Sequence, residues 1–172
     1  EFLAFLDSDD YVSSDYYHTL LDAAVCRNAD IAVGNTVHET AEGKYVRNLH
    51  NACFRFDSIC GEELRQAFFS QKGLCFAWHT VWNKLYRKEL WSRCEEYYKE
   101  LNAHIVMTED IAFSTVLFSF ARCVTTVQND AYFYCQNEQA STDHRGMTFE
   151  KFEKNMRDIH NVFDFCETFL EK

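Results

Sequence analysis

The sequence predicts an α/β fold, a mixed sheet flanked by helices, and three observations carry that prediction. The first is the apolar run Phe2-Leu3-Ala4-Phe5-Leu6, which stops abruptly at Asp7-Ser8-Asp9-Asp10. A run apolar at every position reads as a strand buried on both faces of a parallel or mixed sheet. The second is that extended segments alternate along the chain with segments of helical period. The third is composition: 172 residues, 47% hydrophobic and 26% charged, suit one folded domain with a full-sized core.

Each element has its own justification. After the acidic loop, Ser13-Ser14-Asp15 offers capping side chains, and Tyr16, Leu20, Leu21, Ala24 and Val25 recur at helical spacing. Asp30 to Val37 reads as a second strand, Glu42-Gly43 as a turn, and Lys44 to Leu49 as its hairpin partner. Gly61 to Gln71 and Glu109 to Arg122 have helical composition, whereas Val124 to Tyr134 is rich in Thr, Val, Tyr and Phe and reads as extended. From Thr148 on, Phe149, Phe152, Met156, Ile159, Phe163, Cys166 and Leu170 step every three or four residues, which predicts a final helix with this stripe as core or packing surface. With no Pro and only five Gly, the chain shows no internal boundary, and residues 1–172 are taken as one domain: strand and acidic loop over 1–12, a central region over 13–108, and the last helix–strand–helix portion over 109–172.

Charge and cysteine content narrow the function. Seventeen basic against 27 acidic residues give a net charge of −10, the wrong sign for a phosphate-neutralising surface, so nucleic acid is excluded as the expected partner. No stretch approaches the ~18 apolar residues of a membrane span, and there is no signal-peptide pattern; the expected location is the cytoplasm. The eight cysteines make no CxxC half-site. Several lie in apolar surroundings, as in Ile59-Cys60 and Phe165-Cys166, so reduced core thiols are expected rather than a disulfide framework.

The sharpest chemical feature is Asp7-Ser8-Asp9-Asp10 at the end of a strand. Ligands of open α/β sheets bind beyond the carboxyl ends of strands, and clustered acids repel unless a cation or capping groups relieve them. Two carboxylates one residue apart can share a hard divalent ion that keeps positions open for phosphate oxygens. Taken alone, the same residues serve equally as a solvated turn with Asp9 or Asp10 capping the helix. An EF-hand reading fails, because Tyr11, Val12 and His18 stand where the loop needs Asp or Asn, Gly and Glu. A haloacid-dehalogenase-type phosphotransferase has Thr where this chain has Tyr11, and no later Gly-Asp acid loop is present.

The motifs taken together are more specific. Phe5-Leu6-Asp7-Ser8-Asp9-Asp10-Tyr11-Val12 resembles the DXD segment of family 2 glycosyltransferases, and Ala29-Asp30-Ile31 resembles the strand that follows in that family. Trp82-Asn83-Lys84-Leu85-Tyr86-Arg87 resembles its W-N-K-L-Y-R segment, and Thr108-Glu109-Asp110-Ile111-Ala112-Phe113 its E-D-x-x-F segment. Tyr132-Phe133-Tyr134 and Ser141-Thr142 resemble the Y-x-Y strand and a serine-bearing segment near the domain's end.

This resemblance implies a GT-A fold, a divalent metal (Mn or Mg) held by Asp7 and Asp9, and a nucleotide-diphosphate sugar donor. It implies that Asp110 is the general base of an inverting transfer to a glycan or envelope acceptor. Asp10, Trp82, Asn83, Lys84, Glu109 and Ser141 are the expected donor and acceptor contacts, and His144 could add an imidazole to metal or phosphate. At a helix start the macrodipole favours an ionised Asp110, which makes it a weak base. Lys84 and Arg87 are equally well read as a solvated helix start. The arginines that often follow the Y-x-Y strand are missing around Cys135-Gln136-Asn137. The family's N-terminal nucleotide-binding half is also missing, so the chain is expected to be a truncated domain. An apolar sheet edge left by that truncation would favour a homodimer. The parent protein is expected at the inner face of the membrane. Two other readings remain: a non-catalytic remnant that binds a partner or glycan, and a metal-dependent phosphohydrolase with Asp7 as nucleophile.

Overall fold

The computed structural model describes residues 1–40, 43, 45–47, 56–70, 76–101, 105–136 and 147–172. Seven strands form one sheet: β1 (Phe2–Ala4), β2 (Tyr11–Val12), β3 (Ile31–Glu39), β4 (Tyr45–Arg47), β5 (Ser58–Cys60), β6 (Lys84–Arg87) and β7 (Cys123–Cys135). The main path runs β1-β6-β3-β7-β2, with β4 added to β3 and β5 added to β7. The β3–β7 pair is parallel and the remaining pairs are antiparallel, so the sheet is mixed as expected. Among the described residues six α-helices accompany it: α1 (Tyr16–Cys26), α2 (Gly61–Phe69), α3 (Phe76–His79), α4 (Lys88–Cys94), α5 (Glu109–Phe120) and α6 (Phe149–Leu170).

The strand period of two divides the core between the faces. Ile31, Val33 and Tyr86 pack with Leu64, Leu90, Val116 and Phe118 of α2, α4 and α5. Their sequence neighbours Ala32 and Leu85 join Tyr16, Leu20 and Ala24 of α1. Asp30, at the entry to β3, is fully buried and accepts from the Arg122 amide (2.8 Å) and its Nε (3.0 Å) and Nη2 (2.7 Å), tying β3 to the α5–β7 corner. Gly34 sits where β3 passes α1: a Cβ there would lie 2.2 Å from the Tyr16 hydroxyl, so no larger residue fits without displacement.

Five expectations are corrected. The run Phe2–Leu6 is not buried on both faces; only Phe2–Ala4 is strand, its sole strand partner is β6, and Ala4 and Leu6 are exposed. An apolar run reports burial only if strands flank it on both sides, and β1 lies at the sheet's end. None of Ser13, Ser14 or Asp15 makes a side-chain cap for α1; the Ser13 hydroxyl instead accepts from the Ala131 amide. Lys84–Arg87 is a strand inside the sheet, not a solvated helix start, because it fills the gap between β1 and β3.

On α6 the expected packing stripe largely faces outward. Phe149, Phe152, Met156, Phe163 and Leu170 are exposed, while Asp158, Val162, Phe165 and Cys166 are buried, so the face that packs against α5 is rotated by roughly one residue around the helix. Thr148 does cap that helix, accepting from the Lys151 amide. Finally, Cys60 and Cys123 are disulfide-bonded rather than reduced; they face each other where β5 pairs with β7. Cys26, Cys94, Cys135 and Cys166 are free thiols.

Candidate functional site

The acidic loop connects the two edge strands. Asp10 anchors it: its amide donates to the Asp7 carbonyl (3.1 Å) and its carboxylate accepts from the Cys135 amide at the end of β7 (2.8 Å). The Asp7 amide in turn donates to the Tyr132 hydroxyl (3.2 Å). Asp10 is therefore committed to holding the loop, whereas the Asp7 and Asp9 side chains are exposed. Burial raises the Asp7 pKa, and the neighbouring charges of Asp10 and Asp9 add to the rise. Asp10 is raised by burial as well, against the opposing pull of the Cys135 amide and the Tyr132 hydroxyl. A loop of acids that repel one another gains from a cation. The donor set, exposed carboxylate oxygens, matches a hard divalent ion. Among the described residues no group of three or more His, Cys, Asp and Glu side chains is gathered around one point. Two carboxylates with coordination completed by ligand oxygens are compatible with that.

Glu109 and Asp110 open α5, following Thr108, whose φ of +66° is left-handed. The pKa of the Asp110 carboxyl is raised to about 7, first by burial and then by the charge of Glu109. Lys84 opposes that rise. Against the expectation that the helix start keeps Asp110 ionised, burial and the charge of Glu109 raise its pKa. Burial also raises Glu109, and the charge of Asp7 acts on both Glu109 and Asp110. The acidic loop and the first turn of α5, a hundred residues apart in sequence, therefore share one electrostatic site.

Of the expected contacts in Trp82-Asn83-Lys84, Trp82 alone is partly exposed; its ring packs on Tyr132 (4.5 Å between centroids) and Tyr134 (5.5 Å). Asn83 and Lys84 are buried and bonded internally, so neither can meet a donor or acceptor directly. Ser141 and His144 lie outside the described residues. Sequence reasoning missed the Cys135 amide, since a backbone donor leaves no residue-type signal. Tyr132, already noted in the Y-x-Y segment, was the available hint for the loop's support. A largely apolar cavity of about 680 Å³, lined by Phe68, His79, Ile111, Thr115, Phe163 and Leu170 with Glu167 and Glu171, includes none of Asp7, Asp9, Asp10, Glu109 and Asp110.

Fold and site together describe an α/β protein with an acid-lined edge to a mixed sheet. Among proteins of known kind, the chain is 31% identical over 96 residues to Glycosyltransferase GlyA of Streptococcus pneumoniae serotype 4, spanning 54% of the chain and 14% of that protein. It is 28% identical over 144 residues to the uncharacterized glycosyltransferase EpsJ of Bacillus subtilis, spanning 83% of the chain and 40% of EpsJ. No family model matches. The fold is shared with S. aureus TarS: a structure in complex with UDP-GlcNAc superposes with a TM-score of 0.60 at 15% identity, over 96% of this chain and 47% of that one. A structure in complex with UDP gives 0.54 at 19% identity, over 94% and 40%. The chain thus spans less than half the length of these relatives. Its sequence relatives support a glycosyltransferase family, and no described helix is long and apolar enough to cross a membrane.

Proposed function

We propose that this chain carries the metal-binding and base-bearing part of an inverting glycosyltransferase that moves a hexose-type sugar from a nucleotide-diphosphate donor to a glycan or envelope acceptor. One observation carries the reading: in a chain related to glycosyltransferases, the exposed Asp7, itself acted on by the charge of its neighbour Asp9, acts electrostatically on the buried carboxylate of Asp110. That TarS is solved with UDP and UDP-GlcNAc supports a uridine donor.

Asp7 and Asp9 would hold the divalent ion, which supplies positive charge to a departing diphosphate. Asp110, with a pKa of about 7, takes the proton from the acceptor hydroxyl; a base is most effective when its pKa lies near the working pH. Trp82 packs its ring on Tyr132, whose hydroxyl accepts from the Asp7 amide. Asp10 holds the loop's shape through the Cys135 amide.

The test is calorimetric titration of Mn into the full-length protein with and without UDP, for wild type and Asp9→Ala. Heat that is enhanced by UDP and lost in Asp9→Ala supports the site; no heat in wild type favours the non-catalytic reading. Transfer assays on Asp110→Asn should show a loss of roughly 10²–10⁴-fold, the usual worth of a general base. Unchanged transfer would rule Asp110 out.

A further inference from the structure

Strands β2, β3, β4 and β7 bring a set of aromatic and acidic side chains together beside the acidic loop. Val12 and Tyr132 pack toward α1, so by strand alternation their neighbours Tyr11 and Phe133, paired across β2 and β7, face away from that helix. There the Tyr11 ring stacks on Phe133 (4.6 Å between centroids, 9° between planes), and the Tyr45 ring meets Phe133 edge-on (5.6 Å). The Tyr11 hydroxyl lies 3.3 Å from that of Tyr45 and donates to Glu39 Oε2 (2.7 Å), which also accepts from the Cys135 thiol (3.7 Å). The Cys135 amide is the donor to Asp10, so the residue that anchors the acidic loop also supports this group. Tyr11 and Tyr45 nevertheless stay 41% and 61% exposed. Rings and hydroxyls fixed by one another yet open to water form a preorganised surface, and little ordering is left to be done by a ligand that lands on it.

The chemistry of this surface selects a neutral sugar. A pyranose ring has an apolar face of weakly positive C–H groups, which suits the negative face of an aromatic ring, and its hydroxyls both donate and accept. Phenol hydroxyls can do either, and a carboxylate accepts; both bonds to Glu39 fall on Oε2, and a carboxylate has acceptor positions on its second oxygen as well. Asp10 beside the group and Glu39 within it repel phosphate, which disfavours the anionic part of a nucleotide here. We propose that Tyr11, Tyr45 and Glu39 form an acceptor subsite that binds a neutral hexopyranose unit of a glycan. The proposal rests on the reading of the chain as part of a glycosyltransferase and deepens it by giving the acceptor a place. Tyr11 follows Asp10 directly in the chain, so a sugar stacked on it lies beside the loop that would hold the metal and the donor's diphosphate.

The experiment uses the full-length protein as wild type, Tyr45→Ala and Glu39→Gln, the second a near-isosteric change that keeps the proposal testable where the first does not fold. Saturation-transfer NMR with cellotetraose, maltotetraose and chitotetraose, in the absence of metal and nucleotide, should show transfer to the pyranose C–H protons of at least one of them. Its affinity should fall roughly tenfold in either variant, the scale of one lost aromatic or charge-assisted contact. In transfer assays the same variants should raise the KM for the acceptor by a similar factor and leave the KM for the donor unchanged. Saturation transfer to none of the three sugars, or affinity unchanged in both variants, overturns the proposal. A rise in the donor's KM alone overturns it too, because it assigns the rings to the nucleobase. The NMR arm needs no turnover, so it decides the subsite even where Asp110→Asn leaves transfer intact or Mn gives no heat; those two results count only against the base and the metal.

Discussion

Asp110 pairs a functional advantage with a stability cost that can be measured. Its folded-state pKa of about 7 stands above the ordinary value of 3.8, so the folded protein binds this proton more tightly than the unfolded chain does. Stability from the protonated carboxyl is complete below about pH 4 and is lost as pH rises through about 7. A shift of roughly three units at 1.36 kcal/mol each caps the loss at about 4 kcal/mol. Asp110→Asn, which keeps the shape and removes the charge, should therefore raise the melting temperature at pH 8 and leave it nearly unchanged at pH 4, as followed by circular dichroism. The opposite order would mean that the carboxylate is stabilised by its surroundings. Gly34 makes a second prediction at this scale. Gly34→Ala places a methyl 2.2 Å from the Tyr16 hydroxyl and should cost about 1–3 kcal/mol in urea denaturation, as overpacked cores do.

Among the elements, what could be foreseen followed periodicity, and what could not depended on neighbours. The extended composition of Val124 to Tyr134 and the helical composition of Glu109 to Arg122 emerged as β7 and α5 with ends shifted by one or two residues. Lys84 to Arg87 misled because two charged ends resemble a surface segment, yet Lys84 spends its charge on carbonyls at the end of α3. The α6 stripe misled in the other direction: spacing of three and four identifies an apolar face, but α5 covers only its flank at Val162, Phe165 and Cys166. Cys60 and Cys123 are 63 residues apart, and nothing in sequence announces that β5 and β7 bring them together. Closing a loop of that length is worth about 4 kcal/mol in the chain-entropy picture, with most native disulfides at 2–4. Reduction with dithiothreitol should lower the urea midpoint accordingly, and a Cys60→Ala, Cys123→Ala variant should be insensitive to reductant.

At the level of the whole molecule, the candidate site was legible as residue types but not as an arrangement. Asp7, Asp9 and Asp110 could be named from motifs; that Asp7 and Asp110 influence each other's protonation depends on a sheet that carries the acidic loop to the start of α5. Asp10 and Lys84 gained meaning for the same reason, as groups that hold the acidic loop and residues 77–84 in place.

The parallel β3–β7 pair at the middle of the sheet joins Ile31 to Val124 and Glu39 to Cys135, a separation of more than ninety residues. Contacts so distant in sequence are expensive to close, and folding rates fall as such contacts dominate. During synthesis β3 must therefore wait, its central edge open, until β7, more than ninety residues later, has been made. The same pairing that brings the two acidic segments together makes the nascent chain most prone to aggregate just before it can become active.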